Sequence, residues 1–163
     1  MFDKNCKFAS ERLLYRGIKE DDAEKLVRWR SREDVYRYFD NPSPISLSEH
    51  LSWFRQYMQQ DNELRTIIAE KKVGKEIGMV GGLLKGSAFV ISYYIGEPEF
   101  RGKGYAGESI EELIRFVQNV MSVRLYQAHV HKDNTTSISC LSRIGFSLLM
   151  RTESSCIYEY SLK

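Results

Sequence analysis

A glycine-rich stretch between a β-rich segment and an amphipathic helical pattern constrains the fold most. It reads Glu99-Phe100-Arg101-Gly102-Lys103-Gly104-Tyr105-Ala106-Gly107-Glu108-Ser109. The apolar spacing that follows it is helical: Ile110, Leu113, Ile114, Val117 and Met121. The glycines therefore fall on a strand-to-helix turn, where free N–H groups and the helix dipole attract an anion. Arg101 and Lys103 add mobile positive charge, so we predict a phosphate-binding turn, with an ordinary helix-capping turn as the alternative.

Two known phosphate motifs compete for this stretch. Residues 102–107 spell G-x-G-x-x-G, the dinucleotide-binding fingerprint. That fingerprint opens the first βα unit of a doubly wound domain, whereas most of this chain precedes it, and the next acid after the helical pattern is Asp133. A P-loop is excluded because Lys103 is not followed by Ser or Thr. A dinucleotide-binding oxidoreductase is therefore the weaker interpretation.

The better match is the acyl-coenzyme A signature R/Q-x-x-G-x-G/A, met by Arg101, Gly104 and Ala106. A second motif follows at the expected distance, with Asp133-Asn134, a short helix and then Arg143-Ile144-Gly145-Phe146. In their order and separation the two motifs resemble the GNAT family, the Gcn5-related N-acetyltransferases. The resemblance covers the chain from residue 12 to residue 162.

The resemblance implies acetyl-coenzyme A (acetyl-CoA) as co-substrate and no metal ion. In the family, the loop amides and the helix N-terminus hold the pyrophosphate, the Asn meets the pantetheine arm, and the Arg lies near the cofactor. Backbone donors on the strand before the signature hold the acyl group. The cofactor-binding residues that this implies are Tyr94, Ile95, Arg101, Gly102, Lys103, Gly104, Tyr105, Ala106, Asn134 and Arg143.

The family's reaction is direct attack of a primary amine on the thioester, and two positions of this chain depart from it. Leu141 stands where many relatives carry the Tyr that protonates the thiolate, and Val90 stands where many carry a Glu. No catalytic acid or base is therefore named. Positioning and water suffice in principle, because a thiol with a pKa of about 8.5 is a tolerable leaving group. The departures also keep a catalytically silent acyl-CoA-binding domain as an alternative function.

Two capped helices, joined by the loop Asn41-Pro42-Ser43-Pro44, form the expected acceptor wall. The expected acceptor-binding residues are Arg30, His50 and Trp53, although the basic run around Arg30 also fits a solvated helix face. Leu26–Arg30 and Ile45–Phe54 resemble enzymes that acetylate nucleotide-linked amino sugars. The overall pattern resembles equally the branch that acetylates the N-terminal amines of ribosomal proteins. Polyamines fit less well, because the acidic residues are scattered.

The remaining pattern predicts one α+β domain over residues 1–163. Strands at 64–70, 76–84 and 88–95 form an antiparallel meander, a further strand follows at 125–130, and a hairpin ends the chain. With the resemblance, this predicts a mixed, mostly antiparallel twisted sheet flanked by four to five helices. Asp21-Asp22, Ser31 with Asp34, and Ser46 with Glu49 are the predicted helix caps.

Composition excludes several other classes of protein. A net charge of +2 gives no basis for nucleic-acid binding. Three cysteines without C-x-x-C spacing indicate neither disulfides nor zinc, and His129 and His131 have no third ligand nearby. A polar N-terminus and short apolar runs predict no signal peptide or membrane anchor. We expect a cytoplasmic enzyme with a small-molecule or peptide amine acceptor, and a homodimer is compatible with the sequence.

Overall fold

The computed structural model describes residues 1–163, arranged around one eight-stranded sheet. The strands are β1 (Lys7–Ala9), β2 (Leu13–Gly17), β3 (Glu63–Glu70), β4 (Lys75–Lys85), β5 (Ala88–Ile95), β6 (Leu125–His131), β7 (Ser147–Arg151) and β8 (Ser155–Ser161). The helices are α1 (Ala23–Arg30), α2 (Glu33–Tyr36), α3 (Leu47–Gln59), α4 (Tyr105–Met121) and α5 (Thr135–Ile144). The strand order is β1-β2-β3-β4-β5-β6-β8-β7. Only β5 and β6 pair in parallel, which confirms the predicted mixed, mostly antiparallel α+β fold.

The sheet opens at its middle, between β5 and β6. These strands pair over four residues each, Ala88–Ile91 with Leu125–Ala128. Beyond that point the two strands continue without pairing each other, while β6 keeps its antiparallel partner β8 as far as His131. From Ser92 onward, the edge of β5 that faces β6 is therefore free of a neighbouring strand.

The helices cover the two faces of the sheet separately. Ile68 belongs to the main core, which includes Ile110 and Leu113 of α4. Ile67, its neighbour on β3, belongs to a smaller core with Trp29 of α1 and Tyr57 of α3. Because successive strand residues point to opposite faces, α1 and α3 pack on one face and α4 and α5 on the other.

Of the three predicted helix caps, one is wrong, one is right in position only and one is confirmed. Ser31 does not cap α2, because Arg32 is the N-cap residue and the Ser31 hydroxyl oxygen accepts from the Ile45 amide at 3.2 Å. Asp22 is the N-cap residue of α1 but makes no capping hydrogen bond, and its carboxylate accepts two bonds from Arg16 at 2.8 Å each. Ser46 and Glu49 form the predicted reciprocal capping box at the start of α3.

Two glycines of β4 lie at close approaches to the neighbouring strands. A Cβ on Gly78 would lie 2.3 Å from the Tyr94 carbonyl oxygen, and one on Gly81 would lie 2.1 Å from that of Leu64. The β3–β4 register shifts at Ile68/Ala69. A side chain at these glycines would thus push β3 and β5 away from β4. Helices of this fold are too short or too polar to cross a membrane.

Candidate active site

A cleft of about 1680 Å³ runs past the opening between β5 and β6. Residues of α1, α2 and α3 line one wall, and the glycine turn with the first turn of α4 and with α5 lines the other. Twelve of the thirteen residues predicted from the sequence line this single cleft: Arg30, His50, Trp53, Tyr94, Ile95, Arg101, Gly102, Gly104, Tyr105, Ala106, Asn134 and Arg143. Lys103 is the exception, since its ammonium group lies over the Phe100 ring, 5.2 Å from the centroid.

The glycine turn has the backbone geometry of an anion-binding helix start. Gly102 and Gly104 have φ angles of 71° and 79°, in the left-handed region that side chains disfavour. Gly104 is the N-cap of α4 and offers no side-chain acceptor to the helix. The first amide groups of α4 therefore point out of the helix without a capping partner, next to the cleft.

Arg12 holds this turn from a distant part of the sequence. Its guanidinium donates to the Lys103 carbonyl at 2.8 Å, forms an ion pair with Glu108 at 2.6 Å and lies over the Tyr105 ring at 4.4 Å. Glu108 also accepts a bond from the Ser10 hydroxyl at 2.6 Å. The sequence analysis missed Arg12, because its partner Glu108 lies 96 positions away and no local pattern links them.

Arg101 is held by two partners and is not the mobile cation that the sequence predicted. Its Nε donates to the Ile95 carbonyl at 2.9 Å, and its Nη1 donates to Asp34 of α2 at 2.8 Å. Arg32 and then Arg101 hold the pKa of the Asp34 carboxyl well below its usual range. Arg101 thus joins the acceptor wall to the end of β5.

The two tyrosines near the end of β5 point to opposite faces of the sheet. Tyr94 packs near Trp29 of α1, with ring centroids 6.4 Å apart. Tyr93 packs against the main core under α4 and α5. On α5, the Asn134 side chain caps the helix by accepting from the Ser137 amide at 3.3 Å, while the exposed Arg143 lines the cleft.

The acceptor wall carries charge that no protein group neutralises. Arg30 is half-buried, its guanidinium lies 4.1 Å from the Phe39 ring centroid, and burial lowers its pKa. The other basic residues of this run make ion pairs with carboxylates: Lys25 with Glu76, Arg28 with Glu97 and Arg32 with Asp34. His50 is buried on α3, beside Trp53, and burial lowers its pKa as well.

Four buried side-chain polar atoms have no hydrogen-bond partner, and all four belong to residues that line the cleft. They are Arg30 Nη1, His50 Nε2, Tyr93 Oη and Arg101 Nη2. Buried polar atoms normally have partners, so this concentration of unsatisfied polar atoms marks the cleft as a ligand site.

The family model of the acetyltransferase (GNAT) domain matches residues 12–147, which include the glycine turn, the separated strands and α5. The chain belongs to the GNAT acetyltransferase family. As a GNAT domain it is an acyltransferase. Its mostly antiparallel sheet is not the doubly wound sheet that the dinucleotide interpretation required.

Three similar proteins place this GNAT domain among its relatives. An uncharacterised protein of Methanocaldococcus jannaschii is 28% identical to it over 165 residues. The matched region covers 97% of this chain and 33% of that protein. An uncharacterised N-acetyltransferase of Bacillus licheniformis is 28% identical to it over 147 residues. This match covers 84% of this chain and 80% of that protein. The spermidine N-acetyltransferase of Vibrio cholerae, solved in complex with coenzyme A and spermine, has the same fold, with a TM-score of 0.83. The sequence identity is 16%, and the superposition covers 93% of this chain and 96% of that chain.

Neither departure from the family motif places an acid or base in the cleft of this GNAT domain. Leu141 is fully buried in the main core and does not line the cleft. Val90 lines the cleft without a titratable group. The α5 residues that do line it near β5 include Ser137 and Cys140, and burial raises the pKa of the Cys140 thiol.

Proposed function

We propose that residues 1–163 form a single N-acetyltransferase domain that transfers the acetyl group of acetyl-CoA to the primary amine of a nucleotide-linked amino sugar. The observation that carries the acceptor class is the pair of buried, unpartnered nitrogen atoms in the acceptor wall, Arg30 Nη1 and His50 Nε2. A phosphate oxygen would accept from the guanidinium, and a sugar hydroxyl, which both donates and accepts, would pair with the imidazole. The three cysteines, all unpaired and buried, agree with a reducing, cytoplasmic location.

The charge of this wall argues against a polyamine acceptor. A polyamine would bring only positive charge toward the half-buried guanidinium of Arg30, whose Nη1 has no partner in the protein. The carboxylate of Asp34, which lines the cleft, is already paired with Arg32 and Arg101. The spermine-bound Vibrio enzyme therefore informs the fold of this chain and not its acceptor.

A peptide N-terminus is the second candidate acceptor. Peptide carbonyl oxygens would also pair with Arg30 and His50, and the half-buried ring of Trp53 lines the same wall. The two candidates differ in charge, since a nucleotide-linked sugar carries phosphates and a neutral peptide does not. Salt dependence of the acceptor KM therefore separates them.

The donor side of the proposal uses the glycine turn and the free edge of β5. The α4 amides after Gly104 would receive the pyrophosphate, and the backbone of β5 at Tyr94 and Ile95, beyond the end of its pairing with β6, would orient the thioester. In the reaction, the amine nitrogen forms a bond to the carbonyl carbon. The carbon–sulfur bond then breaks with its electron pair going to sulfur, and the proton lost by the amine passes to water.

Calorimetric titration with acetyl-CoA, coenzyme A and NAD, followed by thiol-release assays with amino-sugar nucleotides and peptides, tests this proposal. We expect both coenzyme A species to bind, NAD not to bind, and an amino-sugar nucleotide to give turnover. Binding without turnover of any amine would favour a silent acyl-CoA-binding domain. Absence of binding by either coenzyme A species would overturn the proposal.

A further inference from the structure

A thiolate leaves during acyl transfer, and its negative charge develops inside a partly buried cleft. Charge that appears away from bulk water is costly unless a fixed donor faces it. The chemistry therefore calls for an O–H, N–H or S–H group near the sulfur. The question is which side chain of this domain supplies it.

Helix α5 lines the cleft with the hydroxyls of Thr136 and Ser137, whereas Cys140 offers a weak donor and Leu141 none. Leu141 points into the main core and has no polar atom. Cys140 lines the cleft, but its sulfur packs toward α4, where a Cβ on Gly107 would lie 3.6 Å away. A thiol is also a poor hydrogen-bond donor.

Tyr93 of β5 presents an unused donor in the same region. It lies beyond Ile91, the last residue at which β5 pairs with β6. Its hydroxyl oxygen is buried and has no hydrogen-bond partner, and its side chain lines the cleft. Ser137 of α5 faces it, but no hydrogen bond of normal geometry joins the two hydroxyls.

The environment of Tyr93 keeps the hydroxyl protonated. Burial raises its pKa to about 12, well above that of a free thiol at roughly 8.5. Tyr93 therefore remains a neutral O–H donor at physiological pH. Its acidity is too low for it to give up its proton to the thiolate.

We propose that the Tyr93 hydroxyl donates a hydrogen bond to the sulfur of the leaving thiolate. The carbon–sulfur bond breaks with its electron pair on sulfur, and the O–H group of Tyr93 faces the new charge and keeps its proton. The amine proton passes to water, and the thiolate is protonated by water after release. The role rests on the acyl transfer common to the family and not on the identity of the acceptor.

Tyr93→Phe, with Tyr158→Phe as control, tests the role in single-turnover reactions. Tyr158 is also buried in the main core but does not line the cleft. A hydrogen bond to a charged group is worth about 1.5–3 kcal/mol, so we expect Tyr93→Phe to slow acyl transfer about 10–100-fold. The Kd of coenzyme A should change less than about threefold, roughly 0.6 kcal/mol. An unchanged rate would overturn the proposal.

Two readouts separate this role from a merely structural one. With acetyl-seleno-coenzyme A the selenolate leaves more readily, so the defect of Tyr93→Phe should shrink severalfold. An equal defect with both donors would show that Tyr93 only shapes the cleft. The second readout needs no acceptor: the pKa of the bound coenzyme A thiol, followed by thiolate absorbance, should be higher in Tyr93→Phe than in the wild type. Equal thiol pKa values would also overturn the proposal, whatever the acceptor proves to be.

Discussion

Asp34 and Arg101 come from opposite walls of the cleft and form an ion pair, with 2.8 Å between the carboxylate and Nη1. The same guanidinium donates to the Ile95 carbonyl at the end of β5. One side chain thus connects α2 and the end of β5 to the glycine turn. In the proposed reaction, the acceptor and the acetyl-CoA would bind on either side of this contact.

Breaking that ion pair should change binding more than stability. The two side chains are each about one-third exposed, so Asp34→Asn should lower the free energy of unfolding by no more than about 1 kcal/mol. We expect the KM of the acceptor and the Kd of acetyl-CoA to rise severalfold. Glu99→Gln is the control, because Glu99 pairs with Lys75 on the surface near the same loop. Equal kinetics for the two variants would contradict a connecting role.

Gly104→Ala should weaken cofactor binding, while Gly86→Ala should not. Both glycines have positive φ angles, 79° and 59°, so each substitution should cost about 1–2 kcal/mol of stability through backbone strain. Only Gly104 lies at the start of α4, where the strain would turn the free amides away from the pyrophosphate. Calorimetry with coenzyme A measures the difference. If both variants bind coenzyme A with the same affinity, the glycine turn is not part of the binding site.

Arg30→Met should raise the KM of a phosphate-bearing acceptor about 10–100-fold, because the substitution removes one hydrogen bond to a charged group. The Kd of coenzyme A should stay unchanged. Arg28→Met is the matched control, since Arg28 lies two residues earlier on α1 and pairs with Glu97, which does not line the cleft. If both substitutions leave the acceptor KM unchanged, Arg30 does not contact the acceptor.

The Glu108 network should make the fold sensitive to acid. Burial alone would raise the pKa of Glu108, but bonds from Ser10 and Arg12 outweigh it and lower the pKa below 4.5. The unfolded chain thus binds this proton at higher pH than the folded protein. The stabilisation is complete above about pH 4.5 and is lost as the pH falls through the lower, folded value.

Glu108→Gln should therefore lower the free energy of unfolding by about 1–2 kcal/mol at pH 7, and by progressively less below pH 4.5. Denaturant titrations across this pH range measure the effect. Glu112→Gln is the control on the same helix, since its partner Arg115 is exposed. Parallel pH profiles for Glu108→Gln and the wild type would contradict the assignment.

The features that the sequence predicted correctly depend on neighbouring residues. Ser46 and Glu49, which form the capping box, are only three residues apart in the chain. Strand β5 has the predicted bounds because a glycine lies just beyond each end of its apolar run. The family motifs predicted the lining of the cleft in the same way, through local spacing.

The features that the sequence did not predict depend on contacts between distant segments. Strand β1 is short and acquires its order from pairing with β2. Ser31 had the spacing of a cap, yet the amide of Ile45, 14 positions away, donates to its hydroxyl oxygen instead. The Tyr93 hydroxyl lies beside Ser137 because β5 passes close to α5. The sequence of β5 alone does not predict which helix packs next to it.

The early end of pairing between β5 and β6 divides the sheet into a five-stranded and a three-stranded plate. Four residue pairs and the crossover through α4 connect the plates. In the free protein, the amides of residues 92–95 that face the gap should exchange with solvent faster than their neighbours. A ligand with its own amide groups, lying between the plates, would act as a short additional strand. Its binding would then bridge the two plates, and the melting temperature of the protein would rise when the ligand is bound.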